Sequence, residues 1–266
     1  EGVDLSVGSI LGCTAFATGF LFATNPGLPI GVVFVAGIVL GALLGALNGL
    51  LVTQAKVPAM VITLGTLYVF RGGLNWWAGS TQYFAGDRPQ AFGDLGVATI
   101  AGFPLLTLLA VIVIVIVSLY QRYARSGRDL YAIGSDRAAA AVYGIPVAKR
   151  VFAAFVANGA LVGLGGVLYA SRFNSVGATT GAGMELDIVA ACVVGGVAMT
   201  GGVGTAYGAA IGALLLTTMT SALTAVGVDK FRQKAVVGAL ILIAIVVDRV
   251  SSMRRHEALR KKGGDR

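Results

Sequence analysis

Long apolar runs, broken by short clusters of turn-forming and charged residues, dominate the chain. No charged residue occurs from Leu5 to Ala55, and none from Ile188 to Val228, so each run accommodates two helical spans of about 20 residues. Asn25-Pro26-Gly27, Val57-Pro58, Gly102-Phe103-Pro104, Gly201-Gly202-Val203-Gly204 and Gly227 punctuate the pattern. It predicts eight spans: Leu5 to Thr24, Ile30 to Thr53, Ala59 to Ala78, Phe103 to Tyr120, Val151 to Ala170, Leu186 to Thr200, Thr205 to Ala225 and Lys230 to Val247. The alternation a membrane barrel needs is absent. The expected fold class is therefore all-α, a polytopic helical membrane protein. Leu186 to Thr200 would reach only about 22 Å as a helix, against a hydrocarbon core of about 30 Å, and is expected to be short or broken.

The polar interruption from Arg122 to Arg150 carries six basic residues: Arg122, Arg125, Arg128, Arg137, Lys149 and Arg150. Within it, Asp136 to Tyr143 predicts a short helix. Ser135 or Asp136 can cap its start, four alanines favour it, and Gly144 with Pro146 stops it. A charged helix of this kind cannot lie in hydrocarbon. Seven more basic residues fall between Arg249 and Arg266, and clusters of positive charge at span ends mark the cytoplasmic side. Residues 122–150 and the tail 249–266 are thus expected inside. Asn25 to Pro29, Gly79 to Gly102, Ser171 to Glu185 and Val226 to Asp229 are expected outside. Counting Leu186 to Thr200 as a crossing leaves only Lys230, Arg232 and Lys234 outside, whereas a re-entrant segment would place all seven basic residues of the tail there, which favours the crossing.

Composition agrees: 266 residues, 56% hydrophobic and 12% charged, with a mean hydropathy of +0.85, outside the range of soluble domains. The whole chain is expected to form one transmembrane domain embedded in lipid. The net charge of +8 lies at span ends and speaks for orientation, not for nucleic acid. Cys13 and Cys192, each alone in an apolar run, read as small packing residues. The chain begins at Glu1 without a methionine or basic leader, so an upstream segment is expected to precede it.

Glycine supplies 39 residues, about twice the usual share. Gly37, Gly41, Gly45 and Gly49 line one face of a span, as do Gly204, Gly208 and Gly212; such stripes let helix backbones approach closely. The two stripes echo one another, Gly41-Ala-Leu-Leu-Gly-Ala-Leu47 beside Gly208-Ala-Ala-Ile-Gly-Ala-Leu214, in spans of opposite direction, the pattern of an inverted repeat in a transporter.

Catalytic chemistry finds little support. The single histidine, His256, lies in the basic tail, so neither a metal cluster nor a serine–histidine pairing is available. No lysine is followed by serine or threonine, which excludes a phosphate-binding GxxxxGK[ST] loop; any ATP must be hydrolysed by another chain, and no cofactor is expected. Asp4, Arg71, Arg172, Glu185 and Asp187 fall at or near span ends and read as snorkelling or interhelical pairs. The neutral residues Asn48, Thr63, Thr66, Asn75, Asn158, Asn174 and Thr180 are the candidates to line a path for an uncharged, hydroxyl-rich solute. Trp76, Trp77 and Tyr83 read first as an interfacial belt and second as a sugar-stacking platform.

Several stretches resemble one family. Gly2-Val-Asp-Leu-Ser-Val-Gly-Ser9, Val57-Pro-Ala-Met-Val-Ile-Thr-Leu-Gly-Thr66 with Arg71-Gly72, Gly127-Arg-Asp-Leu-Tyr-Ala-Ile-Gly134 with Gly144-Ile145, and Glu185-Leu-Asp-Ile-Val-Ala-Ala-Cys-Val-Val-Gly-Gly196 with Gly201-Gly-Val-Gly-Thr205 look like the permeases of ATP-binding-cassette importers for ribose, xylose and rhamnose, among which are the autoinducer-2 permeases. The resemblance covers nearly the whole chain. It implies a multi-pass subunit of the bacterial cytoplasmic membrane that pairs with itself or a close homologue. Two cytoplasmic ATPase subunits and an extracytoplasmic sugar-binding protein would be its partners. It also implies that the ATPase docks on the coupling loop from Gly134 to Gly144, carried by Gly134, Ser135, Asp136, Arg137, Ala138, Ala139, Tyr143 and Gly144. Members usually have a further N-terminal span or two.

This chain departs from the pattern at two places. Asp136-Arg137-Ala138-Ala139 stands where Asn-Glu-Ala-Ala is common, and Ser221-Ala222 where Asn-Gly is frequent. These changes bear on partner and solute more than on class. The competing reading is an ion-coupled secondary transporter of a small polar solute, for which Asp4 and Asp187 are the plausible acids.

Overall fold

The computed structural model describes residues 2–55, 57–229, 232, 233, 235, 236, 238 and 239. Its helices are α1 Val7–Thr24, α2 Ile30–Gln54, α3 Ala59–Ala78, α4 Gln90–Leu95, α5 Leu105–Tyr123, α6 Arg125–Ser135, α7 Arg137–Val142, α8 Val147–Arg172, α9 Met184–Val194 and α10 Ala206–Ala225. Four two-residue strands, β1 Tyr83–Phe84, β2 Thr99–Ile100, β3 Phe103–Pro104 and β4 Ser175–Val176, form two small ribbons.

Five helices, α1, α2, α5, α8 and α10, are long and apolar enough to cross a membrane. α3 has the bounds read from the sequence, but Arg71 interrupts its apolar run. α9 is 11 residues long, so Leu186 to Thr200 is not one helix. The chain leaves α9 at Gly195-Gly196, where Gly196 takes a left-handed conformation (φ +80°) that side-chain-bearing residues avoid. Apart from six single residues, the span expected from Lys230 to Val247 lies outside the described residues, as does the basic tail.

The chain forms two compact units, Glu1–Asp187 with Thr200–Gly202, and Ile188–Met199 with Val203–Arg266. In the first, α2 and α8 lie antiparallel with two glycine faces in register. A Cβ on Gly41 would strike the Gly159 carbonyl oxygen, one on Gly159 the Gly41 oxygen, and one on Gly163 the Gly37 oxygen. Backbone therefore lies on backbone, the arrangement small-residue stripes permit. The sequence showed the α2 stripe; its counterpart on α8 was not recognised from spacing.

α1 fills the centre of this unit and is the most buried of the long helices, whereas α5 buries only Ser118. At the end away from α6 and α7, Phe22 of α1 packs on Phe92 of α4 (4.8 Å between ring centres), and Val33, Val167 and Ala170 complete the core. There β1 pairs antiparallel with β4, Tyr83 opposite Val176 and Phe84 opposite Ser175. Two loops read as outer, 79–102 and 171–185, are thus joined at one end. Trp77 and Tyr83 pack on Phe16 (5.0 and 5.1 Å), while Trp76 is 89% exposed.

The loop from Ser171 to Glu185 stays at that end only at its start. After Val176 it descends along α1: Ala178 packs near Phe16, Thr180 lies against Gly12, and Gly181 and Glu185 lie against Gly8. From Gly19 to Gly8 is about 16 Å along a helix, so non-helical backbone reaches deep into the helical layer. Such backbone is tolerated where protein groups satisfy it. Here Arg71 does so, donating to the carbonyls of Ala178 (3.0 Å) and Thr180 (2.7 Å) and, through its other terminal nitrogen, to Gly8 (3.1 Å).

In the second unit, α9 and α10 repeat the close glycine contact: a Cβ on Gly208 would strike the Gly195 oxygen, and one on Gly212 the Ala191 oxygen. Thr205 caps α10, its hydroxyl accepting from Gly208 N (3.0 Å).

Candidate coupling surface and polar core

Between α5 and α8 of the first unit, the sequence predicted one short helix and the structure contains two. α5 ends at Tyr123, the backbone turns extended at Ala124, and α6 runs back from Arg125. The bend is tight because Gly127 lies against the Tyr120 carbonyl, where a Cβ would collide. Arg150 Nε donates to Asp129 Oδ2 (2.8 Å), tying α6 to the first turn of α8. Both side chains are about a quarter to a third exposed, which makes the pair a modest fastener.

α7 follows at once. Ser135 closes α6, and Asp136 caps α7: its Oδ1 accepts from Ala138 N and Ala139 N, both at 2.9 Å. At the other end, Gly144 adopts φ +78° while Gly144 N bonds to Ala141 O and Ile145 N to Ala140 O, the left-handed stop that glycine provides. Ala140 is the one buried residue of α7. Arg137 and Ala138 are exposed and Ala139 half-buried, while Val142 and Tyr143 stand 87% and 86% exposed. Gly134, in the last turn of α6, lies against Gly201 and Gly202, so the Gly201-Gly202 turn abuts the base of α7.

A polar network lies among the first three long helices and α8. The Asp4 carboxylate accepts from Ser6 N (2.9 Å), Ser6 Oγ (2.7 Å), Asn48 Nδ2 (3.4 Å) and Asn158 Nδ2 (3.1 Å). Asn48 also donates to Ser6 Oγ (2.7 Å). Thr63 Oγ1 accepts from Leu5 N and lies 3.1 Å from Val3 O. Asn48, Thr63 and Ser6 are fully buried; Asn158 and Asp4 are partly exposed. Of the seven neutral candidates, the structure thus joins Asn48, Thr63 and Asn158 around Asp4.

The other four lie elsewhere. Thr66 is buried with its hydroxyl on the Thr63 carbonyl. Thr180 shapes the descending segment, its hydroxyl accepting from Gly177 N. Asn75 is exposed on α3. Asn174 lines a cleft at the opposite end with Tyr83, Phe84, Arg88, Phe92 and Phe173. In that cleft Arg88 donates to Phe173 O (3.0 Å) and lies over the Phe92 ring (5.9 Å), and burial pushes its guanidinium below the usual arginine range.

The gathering role of Asp4 was missed because spacing cannot show that a motif 44 residues before Asn48 folds onto it. Asp187, the second acid weighed for ion coupling, is exposed. Among the described residues, no group of three or more histidine, cysteine, aspartate or glutamate side chains could hold a metal.

Membrane-length helices packed on glycine faces around a buried polar network, with a capped helix set on one end, define a multi-pass membrane transport protein. The chain belongs to the family described as "Branched-chain amino acid transport system / permease component", which matches residues 1–245. It is 34% identical to the autoinducer 2 import system permease protein LsrC of Enterobacter sp. (strain 638), over 98% of this chain and 76% of that protein. It is 35% identical to a probable ABC transporter permease protein, y4mJ, of Sinorhizobium fredii, over 96% of this chain and 75% of that protein. To the autoinducer 2 import system permease protein LsrD of Escherichia coli (strain SMS-3-5 / SECEC) it is 34% identical, over 96% of this chain and 78% of that protein. No solved structure matches it.

Proposed function

We propose that this chain is the permease subunit of an ATP-driven importer of the bacterial cytoplasmic membrane, passing a monosaccharide or the related autoinducer-2. Autoinducer 2 is the solute in the names of the two Lsr relatives, and a monosaccharide is what the resemblance of the sequence motifs implies. An ATPase held by a separate chain, a second permease subunit and an extracytoplasmic sugar-binding protein complete the proposed assembly, with eight spans in an inverted repeat.

The observation that carries the reading is α7. A six-residue helix between α6 and α8, fixed at both ends by its cap and its glycine stop, leaves Val142, Tyr143 and Arg137 exposed. Ordering an isolated helix this short is unfavourable, and a protruding apolar pair invites a protein partner. Gly134, Ser135, Asp136, Arg137, Ala138, Ala139, Tyr143 and Gly144 form the proposed ATPase contact. Closure of the ATPase dimer would move α7, and through α6 and α8 the long helices, in alternating access. Asn158, half-exposed beside Asp4, is the member of the polar network best placed to meet hydroxyl groups, with Asn48 and Thr63 supporting it from behind. Ion coupling through Asp4 fits less well, because neutral donors already occupy its carboxylate.

The test is uptake in vesicles holding the chain with its ATPase and binding protein. Arg137→Ala combined with Tyr143→Ala is expected to leave membrane insertion intact and to abolish ATP-dependent uptake. Undiminished uptake in that variant, or uptake driven by an ion gradient without ATP, would count against the proposal.

A further inference from the structure

Arg71 and Glu185 are charged side chains beside the same wall of α1. A Cβ on Gly12 would lie 3.1 Å from Arg71 Nη1, and a Cβ on Gly8 would occupy the position of the Glu185 carboxylate. Gly8 and Gly12 are one helical turn apart, so cation and anion lie along one track without side chains, and Arg71 Nη2 already reaches the Gly8 carbonyl beside which the Glu185 carboxylate sits. They are not paired: among the described residues, the ion pair within 4.0 Å is Arg150 with Asp129. Arg71 spends its donors on three carbonyls, those of Ala178, Thr180 and Gly8. Glu185 keeps its Oε2 buried without a hydrogen-bond partner. A buried carboxylate oxygen without a donor is costly, and the nearest guanidinium is occupied in holding irregular backbone.

We propose that Arg71 and Glu185 are positioning residues for translocation, forming a two-position latch on the segment 176–185. In the arrangement seen, the guanidinium clips the Ala178 and Thr180 carbonyls to α1. In the other, it lets go of the Ala178 and Thr180 carbonyls and shifts along the glycine track onto the Glu185 carboxylate, and the segment is released. Each position satisfies what the other leaves wanting: three carbonyls in one, a buried acid in the other. Exchange between packed arrangements of similar free energy is how helical transporters switch. The released segment, interrupted by Gly177, Gly181 and Gly183, can then open a way past α1. The latch rests on the permease reading above.

Glu185→Gln tests it, because the amide keeps the size of the side chain and removes the charge. In vesicles with ATPase and binding protein, this variant is expected to insert as the unaltered chain does and to lose uptake by about tenfold or more, the scale of one charge-assisted hydrogen bond. A second readout separates switching from support. A cysteine at the exposed Thr179, with Cys13 and Cys192 replaced by serine, should label with maleimide at a rate that changes on adding ATP and vanadate. Glu185→Gln is expected to abolish that change. Normal uptake and normal nucleotide-dependent labelling in Glu185→Gln would overturn the latch and leave the permease reading standing. If Glu185→Gln does not accumulate, Glu185→Asp keeps the charge on a shorter arm: reduced uptake at normal abundance supports the latch, and unaltered uptake overturns it. Absence of ATP-dependent uptake by the unaltered chain would overturn the permease reading, and the latch with it.

Discussion

Asn48 and Gly41 show what single residues do inside this protein. Asn48 is wholly buried and donates to both Ser6 and Asp4, so Asn48→Ala would take a donor from the buried Ser6 hydroxyl and one of four from the Asp4 carboxylate. A loss of about 1–3 kcal/mol is expected, seen as a lower melting temperature of the purified protein in detergent. Gly41 meets the Gly159 carbonyl with no room for a methyl group. Gly41→Ala must push α2 from α8, and overpacking of this kind costs about 1–3 kcal/mol; the same thermal measurement should show it. Gly31, which faces nothing within 4 Å, provides the control, since Gly31→Ala should be nearly silent. The sequence displayed the polarity of Asn48 and the period of Gly41 plainly. What it withheld was the partner in each case, because periodicity identifies a face and says nothing of what covers it.

Among the elements, α7 was legible and α6 was not. A carboxylate before four alanines and a glycine–proline stop leave little freedom, and the observed bounds, Arg137–Val142, lie within a residue of the predicted helix. α6 carries glycines at both ends and charges along one side, so its sequence reads as loop; in the structure it follows the tight bend at Gly127 and is tied to α8 by Asp129 and Arg150. Asp136→Ala should remove two backbone bonds and cost about 1 kcal/mol of local helix stability. The expected outcome is faster amide exchange confined to residues 137–143, with weaker ATPase binding and the long helices unaffected. Asp129→Asn should cost under about 1 kcal/mol, and a larger loss of stability would mean that the α6–α8 tie does more than its exposure suggests. The descending stretch after Val176 could not have been read from pattern, since its short polar and glycine-rich sequence suits an outer loop. Arg71, 109 residues before Thr180, whose carbonyl it holds at 2.7 Å, makes its depth tolerable together with the turn bonds within the segment.

At the scale of the molecule, the relative directions of the long helices in the first unit follow from their contacts. α1 and α3 run together, α2 runs against α8, and the β1–β4 ribbon lies at the end away from α7. Single cysteines at Ala139 and Phe84 should therefore label from opposite sides of intact cells with an impermeant maleimide, and labelling of both from one side would contradict this arrangement. Hydropathy and the placement of arginines reveal that much without coordinates, because both are set by the solvent on either side of each helix. The α2–α8 contact carries one more implication. Two helices that touch main chain to main chain have no flexible side chains between them to absorb a displacement. A force delivered near Val147 should thus reach the far rim, by the paired loops, with little slack, as along a single stiff rod.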